Sequence, residues 1–236
     1  ASRPEGGALS YFGSGLIENN CIVGNDADGK DACGAVHVSG NPIVRANNIV
    51  GNEGYALYVA NVADAPDVIA SENFWGTSLE QSILQSTYDW IDNEQAGLAI
   101  CKPYLNQAAA DAPAIPPFHL QAASRENGLE LRWEEAPKAD FTGHRIYIGT
   151  ESGYPYNTVI QTGPETSYVV TDLEPEQEYF VRVSGFAVTN EKEVETGLSE
   201  EVRLFYSPSE EPLETPGTLS SPDNKGKASQ LLVLKA

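Results

Sequence analysis

Short apolar runs separated by turn formers dominate the first third of the chain. Between Gly34 and Asn52, GAVHVSGNPIVRANNIVGN, the runs are Ala35 to Val38, Ile43 to Val44 and Ile49 to Val50, and each is closed by Ser, Gly, Asn or Pro. Runs of this length are too short for helices and read as strands. The stretch has an ungapped second copy at Gly7 to Asn25, GALSYFGSGLIENNCIVGN, which keeps Gly, Ala, Gly, Asn, Ile, Val, Gly and Asn in place. Leu9/Val36, Leu16/Ile43 and Ile17/Val44 are near-equivalents. A looser third copy aligns Ala56, Leu57 and Val59 with Ala35, Val36 and Val38, and then, past an insertion from Asn61 to Pro66, Ile69, Asn73 and Gly76 with Val44, Asn48 and Gly51. A repeat of 21 to 27 residues built this way is the mark of a solenoid with one coil per repeat. Inward side chains then form a column of Leu, Ile and Val. Asn tolerates the left-handed corners between strands, and its amide can bond the same amide in the next coil. Asn20 is expected over Asn47, and Asn25 over Asn52.

These features resemble a right-handed parallel β-helix, a fold of many secreted bacterial surface proteins and polysaccharide-cleaving enzymes. After Asn73-Phe74-Trp75-Gly76-Thr77 the period changes. Leu79, Ile83, Leu84 and Tyr88 recur at helical spacing within Ser78 to Trp90, with Ser78 as cap and Gln81 three places on. A helix there would cover the last coil, whose strand edges are otherwise open to aggregation. Together with an acidic turn at Asp89 to Glu94, Gly97 to Ile100 and Pro103 to Leu105, the segment resembles the closing part of bacterial parallel β-helix proteins, so that residues 1–105 read as C-terminal coils and cap. Trp75 could stack on a sugar, but aromatics mostly serve burial, so it is expected inside the cap.

Residues 106–115 read as a linker of small residues stiffened by prolines. From Phe118 the pattern alternates as in a sandwich: Leu129, Leu131 and Trp133, then Phe141 and His144 to Ile148, Ser167 to Val170, Tyr179 to Val183, and Val202 to Phe205. Tyr179 stands four residues after Pro175 at the start of a strand, where its hydroxyl can turn back to the preceding loop and lock a corner. With Trp133 as a core residue, residues 116–206 resemble a fibronectin type III domain. The integrin tripeptide Arg-Gly-Asp is absent, so the resemblance carries over no such adhesion. The fold class expected is therefore all-β: coils with a short capping helix, then a β-sandwich. Residues 207–236 lose all periodicity among Pro, Ser and Glu and read as a tether. Its last apolar run, Leu231 to Leu234, could add a strand to a neighbour's sheet edge or be a bare end.

Charge narrows the partners. Lys and Arg number 14 against 34 acids, a net charge of −20. Such a surface repels a phosphate backbone, which argues against nucleic acid, and suits an extracellular or cell-surface protein. No apolar run is long enough to span a membrane. A β-helix needs about three coils to bury its column, so the upper end of Gly7 to Asn25 is expected to dock on protein carrying preceding coils. Three cysteines cannot all pair. Cys21 and Cys33 flank the longest connection between coils, where a disulfide would contribute about 2–4 kcal/mol if unstrained; buried thiols are the other reading.

The densest polar chemistry is Asp26, Asp28 and Asp31 around Gly29, oxygen ligands of the kind that calcium takes. The match to a calcium loop is partial, since an oxygen ligand at Gly24 and a downstream bidentate Glu are missing; a solvated turn is the competing reading. For catalysis, the exposed candidates on the coils are Glu18, Arg45, His37 and Glu53. Glu18 and Arg45 occupy equivalent positions about 4.8 Å apart, which an ion pair explains without chemistry. His37 and His144 have no evident acidic partner. No residue is assigned as catalytic. The reading is a structural or binding protein, with a glycan or an extracellular protein as ligand. A lyase or glycoside hydrolase with its active site in upstream coils, and a subunit of an extracellular filament, are the alternatives.

Overall fold

The structure is a computed structural model that describes residues 7–25, 27, 32–60, 66–137, 139–153, 155–189 and 192–208. Its first part is a parallel solenoid of three sheets. One sheet stacks β1 (Leu9–Phe12), β4 (Cys33–Ser39), β7 (Tyr55–Val59) and β9 (Thr87–Tyr88). The second stacks β2 (Leu16–Glu18), β5 (Ile43–Arg45), β8 (Val68–Ile69) and β10 (Ala99–Ile100). The third holds β3 (Cys21–Val23) and β6 (Asn48–Val50), and Phe74 adds a bridge to Asn48. All these pairings are parallel. Leu9 lies opposite Val36, Ile17 opposite Val44 and Ile22 opposite Ile49, so the first two coils superpose in the register of the repeat. The inward column contains Ile17, Ile22, Val36, Val38, Val44, Ile49, Leu57, Val59, Val68 and Ile83, all buried.

The third coil is shifted by one residue from the sequence alignment. Ile69 pairs with Ile43, not Val44, and Asn73 bonds Asn47, not Asn48. Sheet alternation gives the reason. A one-residue slip exchanges inside and outside; the observed register sends Ala70 into the column and Ile69 out to solvent.

The expected helix from Ser78 to Trp90 is also shorter. α1 covers Glu80–Gln85, its N-cap is Leu79 with no side-chain cap bond, and Ser78 does not cap it. Thr77 Oγ1 accepts the Leu79 N–H instead, at 3.1 Å. Thr87 and Tyr88 leave the helix because they pair with Leu57 and Tyr58 at the open edge of the first sheet. Ladder bonds plus a Tyr88 ring 4.3 Å from that of Tyr58 outweigh another helical turn.

The second part is an antiparallel sandwich. One sheet is β11 (Phe118–Arg125), β12 (Gly128–Glu134) and β15 (Ser167–Val170). The other is β14 (Thr158–Gln161), β13 (Gly143–Gly149), β16 (Gln177–Thr189) and β17 (Lys192–Glu195), with β18 (Val202–Tyr206) also on β16. The core gathers Leu120, Leu129, Leu131, Trp133, Ile146, Ile148, Val170, Tyr179, Val181, Val183 and Tyr206.

Candidate functional site

Corner asparagines join the coils. Asn47 Oδ1 accepts both the backbone N–H and the Nδ2 of Asn20, each at 2.9 Å, and Asn52 Oδ1 does the same for Asn25 at 3.1 and 2.7 Å. Asn73 Oδ1 continues the first row by accepting from Asn47 N and Nδ2 at 3.1 and 2.9 Å. Asn47 and Asn73 are fully buried.

The residue after Asn47 has a different task that the repeat does not announce. Asn48 Oδ1 accepts the Ala109 N–H at 2.8 Å and its Nδ2 donates to Pro113 O at 3.2 Å, pinning the linker to the third sheet. Beside it, Val50, Phe74, Ile115, Phe118 and Ala136 form one apolar cluster shared by solenoid, linker and sandwich. Phe118 packs on two glycines, its Cβ beside Gly24 and its ring against Gly51. A Cβ on Gly51 would stand 2.5 Å from the Phe118 ring, and both glycines have φ near +64 and +63, where L side chains are strained. Within the sandwich, Glu200, next to Gly24, accepts the Leu120 N–H.

Two outer faces of the solenoid carry ordered rows. On the first sheet Phe12, His37, Tyr58 and Tyr88 form a ring stack, with centroids 6.0, 5.3 and 4.3 Å apart. Phe12 is 71% exposed, whereas His37 is buried, so His37 is no solvent-facing catalytic candidate; flanking rings cover it. Burial, with help from Tyr88, pushes the Tyr58 hydroxyl up to about 12. On the second sheet Leu16, Ile43, Ile69 and Ile100 align as an aliphatic row facing solvent. Next to it Arg45 donates to Glu18 Oε2 through Nε at 3.2 Å and Nη2 at 3.1 Å. That is an exposed ion pair between coils. Glu53 is exposed beside the corner at Asn52.

The three cysteines are free. Cys21 and Cys33 do not form the expected disulfide, because Cys21 opens a strand of the third sheet and packs against the joint, while Cys33 opens a strand of the first sheet. Burial pushes all three thiols, including Cys101, up to about 11. Asp26, Asp28 and Asp31, the calcium candidates, lie outside the described residues. Among the described residues no three His, Cys, Asp or Glu side chains come together as metal ligands. No described helix is long and apolar enough to cross a membrane. Leu231 to Leu234 also lie outside the described residues. Trp75 is buried in the solenoid core under the cap.

In the sandwich, Tyr179 Oη accepts the Glu174 N–H at 2.9 Å, tying the strand start to its loop, and Trp133 is buried. His144 does have an acidic partner. Its Nε2 is 2.7 Å from Glu135 Oε1 and its Nδ1 3.2 Å from Gly163 O, with Trp133 and Phe141 edge-on to the ring. Glu135 is on the loop after β12, brought over His144 by the sandwich fold, so spacing alone hid the pair.

A fibronectin type III profile matches residues 114–202. Residues 114–202 belong to the fibronectin type III family. Similar solved structures include an Fn3-like protein from Clostridium thermocellum, 33% identical over 42% of this chain and 98% of its own, TM-score 0.34. A myokine is 21% identical over 42% of this chain and all of its own, TM-score 0.34. The fn3 domain of human collagen α-1(XX) is 17% identical over 44% of this chain and 94% of its own, TM-score 0.33. No curated protein matches the chain. A fibronectin type III domain is consistent with a structural or binding module.

Proposed function

We propose that the chain is a structural and binding module of an extracellular or cell-surface protein, in which the end of a β-helix holds a fibronectin type III domain at a fixed angle. The observation that carries this reading is the joint. An ordinary tether leaves two domains free to turn, because interfaces between domains in one chain are often small and polar. Here Phe118 seats on Gly24 and Gly51, four apolar residues from solenoid, linker and sandwich close around it, and Asn48 clamps the linker at two points. The net charge of −20 fits an exposed, well-solvated setting.

The test is Phe118→Ser. Amide hydrogen exchange across residues 48–52 of the solenoid is expected to accelerate in the variant, although the substituted residue belongs to the sandwich. Acceleration confined to residues 116–206 would contradict a mechanically coupled joint.

A further inference from the structure

The fold does not require apolar side chains on the outer face of the second sheet. Alternation sends Val44, Val68 and Ala99 into the column and turns Ile43, Ile69 and Ile100 to solvent, while the outward positions two residues after Ile43 and Ile100 are the charged Arg45 and Lys102. The aliphatic row runs on into the segment that closes the solenoid. α1 buries only Ile83, so Leu84 stands on its flank at 44% exposure, and Ile91 follows at 67%. Two hollows join these side chains. The smaller, about 210 Å³, has Leu84 and Ile100 in its walls with Ile83 and Cys101; the larger, about 530 Å³, has Leu84 and Ile91. Leu84 and Glu80 line both, so Ile100, Leu84 and Ile91 form one continuous apolar surface, and a surface of this extent marks an interaction site.

The surface is held in shape. Buried Asp89 accepts the Ile91 N–H through Oδ1 and the Ala99 N–H through Oδ2, each at 2.9 Å, and its own N–H donates to Asp92 Oδ2 at 3.2 Å. The turn carrying Ile91 is thereby fastened to the strand carrying Ile100. The charge around it has one sign. Glu80, Asp89 and Asp92 line the larger hollow, and among the described residues no Lys or Arg does. In the smaller one, Lys102 is already taken by Glu80 at 2.6 Å.

We propose that this face binds a cationic amphipathic helix of a partner protein, whose apolar stripe lies along Ile69, Ile100, Leu84 and Ile91 and whose Lys or Arg residues meet Glu80 and Asp92. Spacing selects the helix. Rungs of the aliphatic row are one strand apart, about 4.8 Å, close to the pitch of a helix, about 5.4 Å; an extended strand sets its same-face side chains about 6.7 Å apart, out of step with the rungs. Helices are also what covers the faces of parallel sheets elsewhere. A second copy does not serve, because the chain carries a charge of −20 and pairing these faces would bring two sets of the same acids together. No residue of the hollows belongs to the cluster around Phe118, so this proposal stands or falls apart from the joint.

The test titrates the full chain with a helical peptide of about four turns, leucine along one face and lysine along the other, and with a control peptide that keeps the lysines and carries serine for leucine. One saturable site for the leucine peptide is expected, with amide protection gained within residues 80–102. The control peptide is expected to bind about tenfold or more weakly, as is the leucine peptide to Leu84→Ser or Ile91→Ser, both at exposed positions that leave the fold intact. Asp92→Asn is expected to lower affinity more at low salt than at high salt. Equal binding of the two peptides, binding that neither serine variant weakens, or no binding by the full chain would overturn the proposal. A dimer that Leu84→Ser dissociates would give the face to a second copy, and exchange protection of residues 209–236 that Leu84→Ser removes would give it to the chain's own tail; either would overturn the partner helix.

Discussion

Asn47 and Asn48 are adjacent and chemically identical, yet their tasks differ, and only one was legible. Asn47 repeats Asn20 in the alignment, so its stacking could be read from the sequence. Asn48 acts on residues more than sixty positions away, and no local pattern encodes that reach. Because Asn47 is fully buried with Ile17, Arg45, Asn20 and Asn73 all bonded to its amide, Asn47→Ala strands several polar groups. A loss of about 3 kcal/mol or more in denaturant melts is expected, against under about 1 kcal/mol for Asn20→Ala, whose amide is half in solvent. The thiols give a second expectation. With folded values of about 11, above the ordinary thiol value of about 8.5, Cys21, Cys33 and Cys101 favour the neutral form in the fold. Their contribution to stability is full below about pH 8.5 and is lost as pH rises toward 11. At pH 8 iodoacetamide should leave Cys33 and Cys101 unmodified until denaturant is added, with half-buried Cys21 the first to react; rapid labelling of Cys33 or Cys101 in the native protein would contradict their burial.

Elements follow the same division between local and distant causes. The first two coils could be aligned residue for residue because nothing is inserted between their strands. The third slipped because the insertion hid which residue resumes the column, and burial of Ala70 rather than Ile69 decided it. β14 and β17 escaped notice for another reason: they lie toward the sheet edge with mostly exposed side chains, so no apolar alternation marks them. Their region is held by polar ties instead. Glu201 accepts from Ser152 Oγ at 2.5 Å, from Gly153 N at 2.9 Å and from Tyr156 Oη, fastening the loop before β14 to the segment entering β18. Burial pushes that carboxyl up, but the three donors and Arg182 outweigh it and hold it below the usual range. A depressed folded value means that the stabilisation is present above about pH 4.3 and lost as pH falls through the folded value. Glu201→Gln should therefore be less stable than the wild type by about 1–2 kcal/mol at pH 7, with the gap closing on acidification in thermal melts at successive pH. A gap that stays constant with pH would show that the carboxylate charge is not what fastens the loop.

At the scale of the whole molecule, both architectures were legible and their union was not. Repeats announced the solenoid, and the Pro175 to Tyr179 corner with Trp133 announced the sandwich. The joint draws one or two residues from each of several segments, Val50, Phe74, Ile115, Phe118 and Ala136, which share no spacing. Yet the joint decides whether the fibronectin type III domain is presented in one orientation or swings on a tether. The most direct measurement is the distance distribution between spin labels at Phe12→Cys on the solenoid and Val159→Cys on the sandwich, both exposed positions, in a Cys21→Ser background, because Cys21 is only half-buried while Cys33 and Cys101 are buried. One narrow distribution, broadened by Phe118→Ser, is expected. A broad distribution in the otherwise unaltered protein would contradict the rigid module.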